Sequence, residues 1–321
     1  MRCHDAGVSR RAWLLMAGIA ALWGSSYMFI KLALDDDLSA GAIVCIRTAL
    51  GAAALLPVAL RSGAMAALRG RWGWLALVAL MQVVVPFLLI TEGERHVASA
   101  LAGILVAAAP LWTTLVAARF DHAEIPRGWA AVGVVVGIVG VTMLFGIDLA
   151  GSSDELLGGA MILVAALCYA IGPLLVKHRL AGVPAVGVAG AMMTLSSLLT
   201  LPLLVAAPPP HAPSAGAVAA LVVLGAGSTG IAFLWYYTVM REVGPGRASI
   251  VAYLAPPFAV LYGTVFLGES LGAGAIVGIV LILAGSWIAI SSRPPHPPRP
   301  PSRVRRSAPS RSTAPEPARA R

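Results

Sequence analysis

Apolar residues fall into ten long runs separated by short polar breaks, at about 12–33, 40–60, 73–91, 97–118, 128–147, 156–176, 184–207, 215–240, 247–267 and 272–292. Each run is long enough to cross a bilayer core, which takes roughly 17–25 residues as a helix. Backbone N–H and C=O groups in hydrocarbon must be satisfied within their own segment, and only a helix does that. No run shows the polar–apolar alternation of a barrel strand. The pattern predicts an all-α membrane protein of ten transmembrane helices.

The pattern also repeats. Trp23-Gly24 and Lys31 recur 146 positions later as Tyr169-Ala170 and Lys177, Gln82 as Ser228, and Pro110 as Pro256. Glu124, Gly133 and Gly140 recur at an offset of 145 as Glu269, Gly278 and Gly285. Five crossings per copy is an odd number, so the second copy must enter the membrane from the other side. The expected organisation is an N-terminus of residues 1–11, inverted five-helix repeats over 12–147 and 156–292, and a tail over 293–321. Inverted repeats are the ground plan of many secondary transporters.

Composition and charge sharpen this reading. Hydrophobic residues make up 59% and charged residues 12% of the chain, against about 45–50% and about 25% in a soluble domain. With the N-terminus in the cytosol, all of the 23 basic residues except Lys31, Arg47 and Arg95 fall on the cytoplasmic side. That bias sets the orientation. Residues 1–30 also admit a signal-peptide reading, because Arg10-Arg11 precede an apolar run. Against it, the run continues to Leu34, its motif matches the sixth segment, and its removal would invert every loop. Cys3, Cys45 and Cys168 are scattered and odd in number, which points to packing rather than disulfides or metal.

The tail is rich in Pro, Arg and Ser and cannot bury a core, so disorder is expected. Its arginines supply much of the net charge of +9. Emerging in the cytosol, they can rest on anionic lipid at about 1 kcal/mol per charge. A topology anchor accounts for the tail better than nucleic-acid binding, and no nucleic-acid partner is expected.

The motifs carry a resemblance over about residues 12–292. Trp23-Gly24-Ser25-Ser26-Tyr27 in the first helix, Arg47 in the second, Pro110 and Pro256 in the fourth and ninth, and the Glu-Gly-Gly pattern of Glu124, Gly133, Gly140 and Glu269, Gly278, Gly285 together resemble the EamA-type exporters of the drug/metabolite transporter superfamily. The resemblance implies a helical bundle whose central cavity, lined by both halves, opens alternately to each side. Two departures stand out: one extra residue separates Pro110 from Glu124 compared with the second copy, and Arg47 falls opposite Met193.

Candidate substrate-binding residues are the polar and aromatic groups far from helix ends, because such sites lie near the midplane between repeats. Arg47 sits about 10 Å inside the second helix at 1.5 Å per residue, where a charge costs at least about 2.5–3.5 kcal/mol to insert. It is either a clamp for an anionic or zwitterionic solute or a structural partner of Asp35, Asp36, Asp37 or Glu92. Trp23, Trp112, Trp235, Tyr236, Tyr237 and Tyr253 are candidates for an aromatic wall, or else packing. Ser25, Ser26 and Tyr27 add hydrogen-bonding groups beside Trp23. Gln82 and Ser228 form a repeat-related polar pair suited to a cavity or to an interhelical hydrogen bond. Trp13, Trp72, Trp74, Trp129 and Trp287 lie near helix ends and read as interfacial anchors. Pro86, Pro110, Pro256 and Pro257 are candidate kinks for gating. Lys31 and Lys177 read as snorkelling groups, and Glu124 and Glu269 as caps of the helices that follow them.

Enzyme chemistry is not expected. All six histidines fall in loops, termini or helix edges, and no His or Cys cluster has metal-ligand spacing. No Gly-rich loop ending in Lys-Ser or Lys-Thr would cradle ATP, and no cofactor is expected. No carboxylate lies well inside a segment, Glu92 being the nearest, which leaves coupling to an ion gradient or passive exchange open. The reading that results is a carrier in a bacterial-type inner membrane, with both termini cytoplasmic, moving a small organic metabolite such as an amino acid; the outward direction follows from the resemblance alone. An anionic-solute exchanger of the sugar-phosphate type and a non-transporting scaffold are the alternatives. The sequence specifies no oligomeric state.

Overall fold

The computed structural model describes residues 9–120, 125–147 and 152–291. Its helices are α1 (Arg10–Leu34), α2 (Ala40–Arg61), α3 (Trp72–Gly93), α4 (Ser99–Val106 continuing as Ala109–Phe120), α5 (Trp129–Ile147), α6 (Ser153–Arg179), α7 (Ala185–Ala206), α8 (Ala215–Val243), α9 (Val251–Phe266) and α10 (Ala273–Ser291). The first eight are long and apolar enough to cross a membrane, and α9 and α10 are shorter apolar helices. Among the described residues there is no strand. Large apolar side chains such as Leu14, Val135, Leu198, Val205 and Val280 are exposed, as expected where lipid rather than water covers the surface. The tail and its lipid contact, Cys3 and Glu124 lie outside the described residues.

Local sequence sets where several helices begin. Ser9, Ser39, Ser152 and Ser214 each precede a helix, and each Oγ accepts a hydrogen bond from the N–H three residues on, which satisfies one of the free donors of the first turn. Two spans are locally widened. In α3, residues Leu80–Val84 are π-helical; Pro86, two residues on, has no N–H to give the carbonyl four residues back. In α8, Val223–Ile231 is π-helical and contains Gly225, Gly227 and Gly230. These two stretches, carrying Gln82 and Ser228, overlap under the 146-residue offset. In α4 the helix breaks at Ala107–Ala108, just before Pro110, and the chain turns there through three-residue hydrogen bonds.

The halves are interleaved. The helix α1 packs on α8 and α9 of the second half, α6 packs on α3 and α4 of the first, and α2 packs on α7 and α8. The helices α5 and α10 meet through glycines: a Cβ on Gly133 would lie 2.6 Å from the Gly285 carbonyl oxygen, and one on Gly140 would lie 3.0 Å from that of Gly278. The repeat maps Gly133 onto Gly278 and Gly140 onto Gly285, so each contact is the other's image, as at an isologous two-fold interface. Both pairs fit one antiparallel register, as an inverted repeat requires. Only glycine lets the two backbones approach this closely.

Candidate functional site

Below, the starting face is the one from which α1 begins, and the opposite face is the one it reaches at Leu34. Arg47 faces inward on α2, toward the widened stretch of α8. Glycines set that crossing: a Cβ on Gly51 would lie 2.7 Å from Thr229 Cγ2, and one on Gly225 would lie 3.0 Å from the Arg47 carbonyl oxygen. The close approach lets Arg47 Nε donate to Thr229 Oγ1 at 3.0 Å, while that hydroxyl donates to the Leu224 carbonyl five residues back at 2.9 Å. The guanidinium carbon lies 3.8 Å from the centre of the Phe87 ring. Arg47 is 7% exposed. Among the described residues no carboxylate comes within 4.0 Å of it and its two Nη groups have no hydrogen-bond partner. The ion pair with Asp35, Asp36, Asp37 or Glu92 considered from the sequence is therefore not formed. Tyr27, Tyr169 and Glu94 are its polar electrostatic neighbours.

One helical turn toward the starting face, four rings meet. Trp23 lies 5.8 Å from Phe233 and 5.3 Å from Tyr236, Phe233 lies 6.1 Å from Tyr237, and Tyr236 lies 6.3 Å from Tyr237. These separations suit edge-on aromatic packing. The repeat relates Trp23 to Tyr169 and Phe87 to Phe233, so a ring pair between α1 and α8 has a counterpart in residues of α6 and α3. Arg47 breaks the symmetry, because its counterpart Met193 is fully buried and neutral. The result is a guanidinium in a largely apolar and aromatic region built from both halves, with Tyr27, Tyr169 and Glu94 as its polar neighbours.

The remaining candidates divide. Ser25 and Ser26 are buried, and both hydroxyls donate to the Leu22 carbonyl of their own helix. Tyr27 lies against Gly103 of α4. Gln82 packs against Gly172 of α6, while Ser228 is fully buried with no partner for its hydroxyl among the described residues. Trp112 has no ring contact with the four-ring group among the described residues, and its indole N–H is buried without a partner. Trp235 faces outward, packs on Gly18 and borders an open groove of about 540 Å³ with Arg10, Arg11, Leu14 and Leu15. Tyr253 packs edge-on against Trp287 at 6.0 Å. Pro86 and Pro256 are buried and Pro257 is exposed, with Pro110 partly covered. Trp13, Trp72, Trp74, Trp129 and Trp287 are all exposed, and the Arg179 guanidinium stacks 4.1 Å above Trp74.

At the opposite face, one charged group acts differently from the sequence reading. Glu269 does not cap the helix that follows it. Its carboxylate accepts from the N–H groups of Ser99 at 2.7 Å and Ala100 at 2.9 Å, at the start of α4 in the other repeat. Lys31 Nζ donates to the Glu94 carbonyl at 3.0 Å. Sequence reasoning passed over Tyr169, Phe87, Phe233, Thr229 and Glu94. The 146-residue offset pairs Phe87 with Phe233, so the signal for those two was present; nothing local marked Thr229 or Glu94.

Comparison with known proteins agrees with this architecture. Residues 10–146 and 156–291 each match the model of the EamA-like transporter family. A probable terminal-alkyne amino-acid exporter of Streptantibioticus cattleyicolor is 30% identical over 87% of this chain and 92% of its own length. An uncharacterised transporter of Archaeoglobus fulgidus is 26% identical over 88% of this chain and all of its own, and the uncharacterised inner membrane transporter YedA of Escherichia coli is 28% identical over 83% and 89%. A solved crystal structure, 20% identical, superposes with a TM-score of 0.63 over 89% of this chain and 98% of its own, which shows the shared fold.

Proposed function

Because the chain belongs to the EamA-like transporter family and is a multi-pass membrane transporter, we propose that it is an alternating-access carrier for small carboxylate-bearing metabolites, in the first place amino acids, which it exports across a bacterial inner membrane with both termini in the cytosol. The observation that carries the substrate class is Arg47: a buried guanidinium with one N–H on a hydroxyl, an aromatic face beneath it and, among the described residues, no partner for its remaining donors. A planar fork of this kind recognises carboxylate. In this reading the Trp23, Phe233, Tyr236 and Tyr237 rings form the wall for the rest of the solute, and the halves rock about the α5–α10 crossing. The amino-acid exporter among the relatives favours the same solute class. One buried cation among the described residues favours a carboxylate over the larger charge of a sugar phosphate.

The test is counterflow in liposomes loaded with unlabelled solute, across a panel of amino acids, the amides and amines that lack their carboxylate, and sugar phosphates. Amino acids should exchange and their decarboxylated analogues should not. Exchange confined to solutes without a carboxylate, or no exchange by any amino acid, would overturn the assignment.

A further inference from the structure

Glu94 follows directly on Gly93, the last residue of α3, at the opposite face. Its side chain nevertheless turns inward: the residue is fully buried, and neither carboxyl oxygen has a hydrogen-bond partner among the described residues. An isolated carboxylate in such a place is far costlier than a neutral carboxyl, so the group takes up a proton rather than stay charged. Burial is the main cause that raises its pKa well above the ordinary carboxylate range; Lys31 opposes the rise, Glu269 adds to it and Arg47 opposes it.

The charged and titratable groups facing it are few. The helix α1 supplies Lys31 and Tyr27, α2 supplies Arg47, and the segment before α10 supplies Glu269. On its own segment, Glu92 and Arg95 are paired with each other at 3.1 Å, and His96 packs on Gly158 of α6. Lys31 is held on the Glu94 backbone carbonyl rather than on its carboxyl. Glu269, which acts on Glu94 electrostatically, clamps the start of α4 through two N–H groups. Ser99, at the grip, is fully buried.

We propose that Glu94 is a proton-binding site of the carrier, neutral while the Glu269 clamp seals the opposite face and ionised when that face opens to water. This rests on the alternating-access reading, but not on the identity of the solute. The sealed state binds the proton more tightly than the open one. Sealing is therefore favoured at low pH and lost as pH rises through the sealed-state pKa. Each opening at alkaline pH then releases one proton to water on that side, and each resealing takes one back.

The experiment uses the full chain in nanodiscs, with Cys3, Cys45 and Cys168 replaced by alanine and Ser99→Cys as a reporter. A water-soluble maleimide is applied across a pH series in the presence and absence of Glu94→Gln, which mimics the neutral carboxyl. The ratio of the two labelling rates cancels the ionisation of the thiol itself. It should rise with pH, by up to about tenfold per unit for a single proton. A ratio that stays flat overturns the proposal. Infrared spectra of the unmodified protein give a second readout that needs no variant to fold: a protonated-carboxyl band should persist at neutral pH, and its absence also overturns it. Neither measurement requires transport, so failure of the amino-acid assignment in counterflow is a separate result.

Discussion

Replacing Arg47 with methionine, the residue the repeat carries at the equivalent position 193, separates a binding role from a structural one. On the stability side, the substitution removes the bond to Thr229 Oγ1 and the contact with the Phe87 ring. A hydrogen bond from a charged group contributes about 1.5–3 kcal/mol and a desolvated cation–π contact about 1–2 kcal/mol. It also removes a charge whose insertion costs about 2.5–3.5 kcal/mol, and methionine fills much of the same volume. The two sides largely offset, so thermal unfolding in detergent should shift by no more than about 2.5 kcal/mol; neutral replacement of buried charge is often tolerated in this way. On the functional side, loss of a charge-assisted grip worth about 1.5–3 kcal/mol should lower the transport efficiency for amino acids about 10–100-fold. Counterflow against concentration measures it. A variant that melts several kcal/mol lower yet transports normally would show that Arg47 holds helices together and binds nothing.

Two further outcomes follow from the geometry. Gly285→Ala places a methyl 2.5 Å from the Gly133 carbonyl and against the Gly137 N–H, both rigid backbone, so it should destabilise the protein by about 1–3 kcal/mol in thermal unfolding, whereas Gly73→Ala, with nothing within 4 Å, should be neutral or slightly stabilising. Asp36 accepts a hydrogen bond from the Ser214 N–H at 2.9 Å, and that bond holds its carboxyl below the ordinary range. Its support for the start of α8 is complete above the unfolded-state pKa and fades as pH falls through the lowered value. Hydrogen exchange at Ser214 should accordingly lose protection on acidification, and an unchanged profile in Asp36→Asn would refute the link.

Much of this protein is fixed along the chain. The ten spans are set by apolar run length, and the observed helices fall within a few residues of the expected ones because hydrocarbon leaves a segment no other way to satisfy its backbone. The inverted arrangement follows from an odd number of spans per copy, and Trp23, Tyr236 and Arg47 are legible as unusual residues at depth. What surrounds them is not, because a side chain's depth says nothing about its direction. Ser25 and Ser26 are legible as polar groups at depth, but not that both hydroxyls donate to the Leu22 carbonyl; Trp235 is one residue from Tyr236 yet points outward, since neighbours on a helix lie about 100° apart. Glu269 looks like the cap of its own helix, but packing between the halves delivers it to α4. Glu94 reads as an acid just beyond its helix, and only tertiary packing makes it buried. Local sequence decides which residues are helical and how deep they lie; which of them meet is decided by the glycine-lined crossings that set how closely the two halves approach.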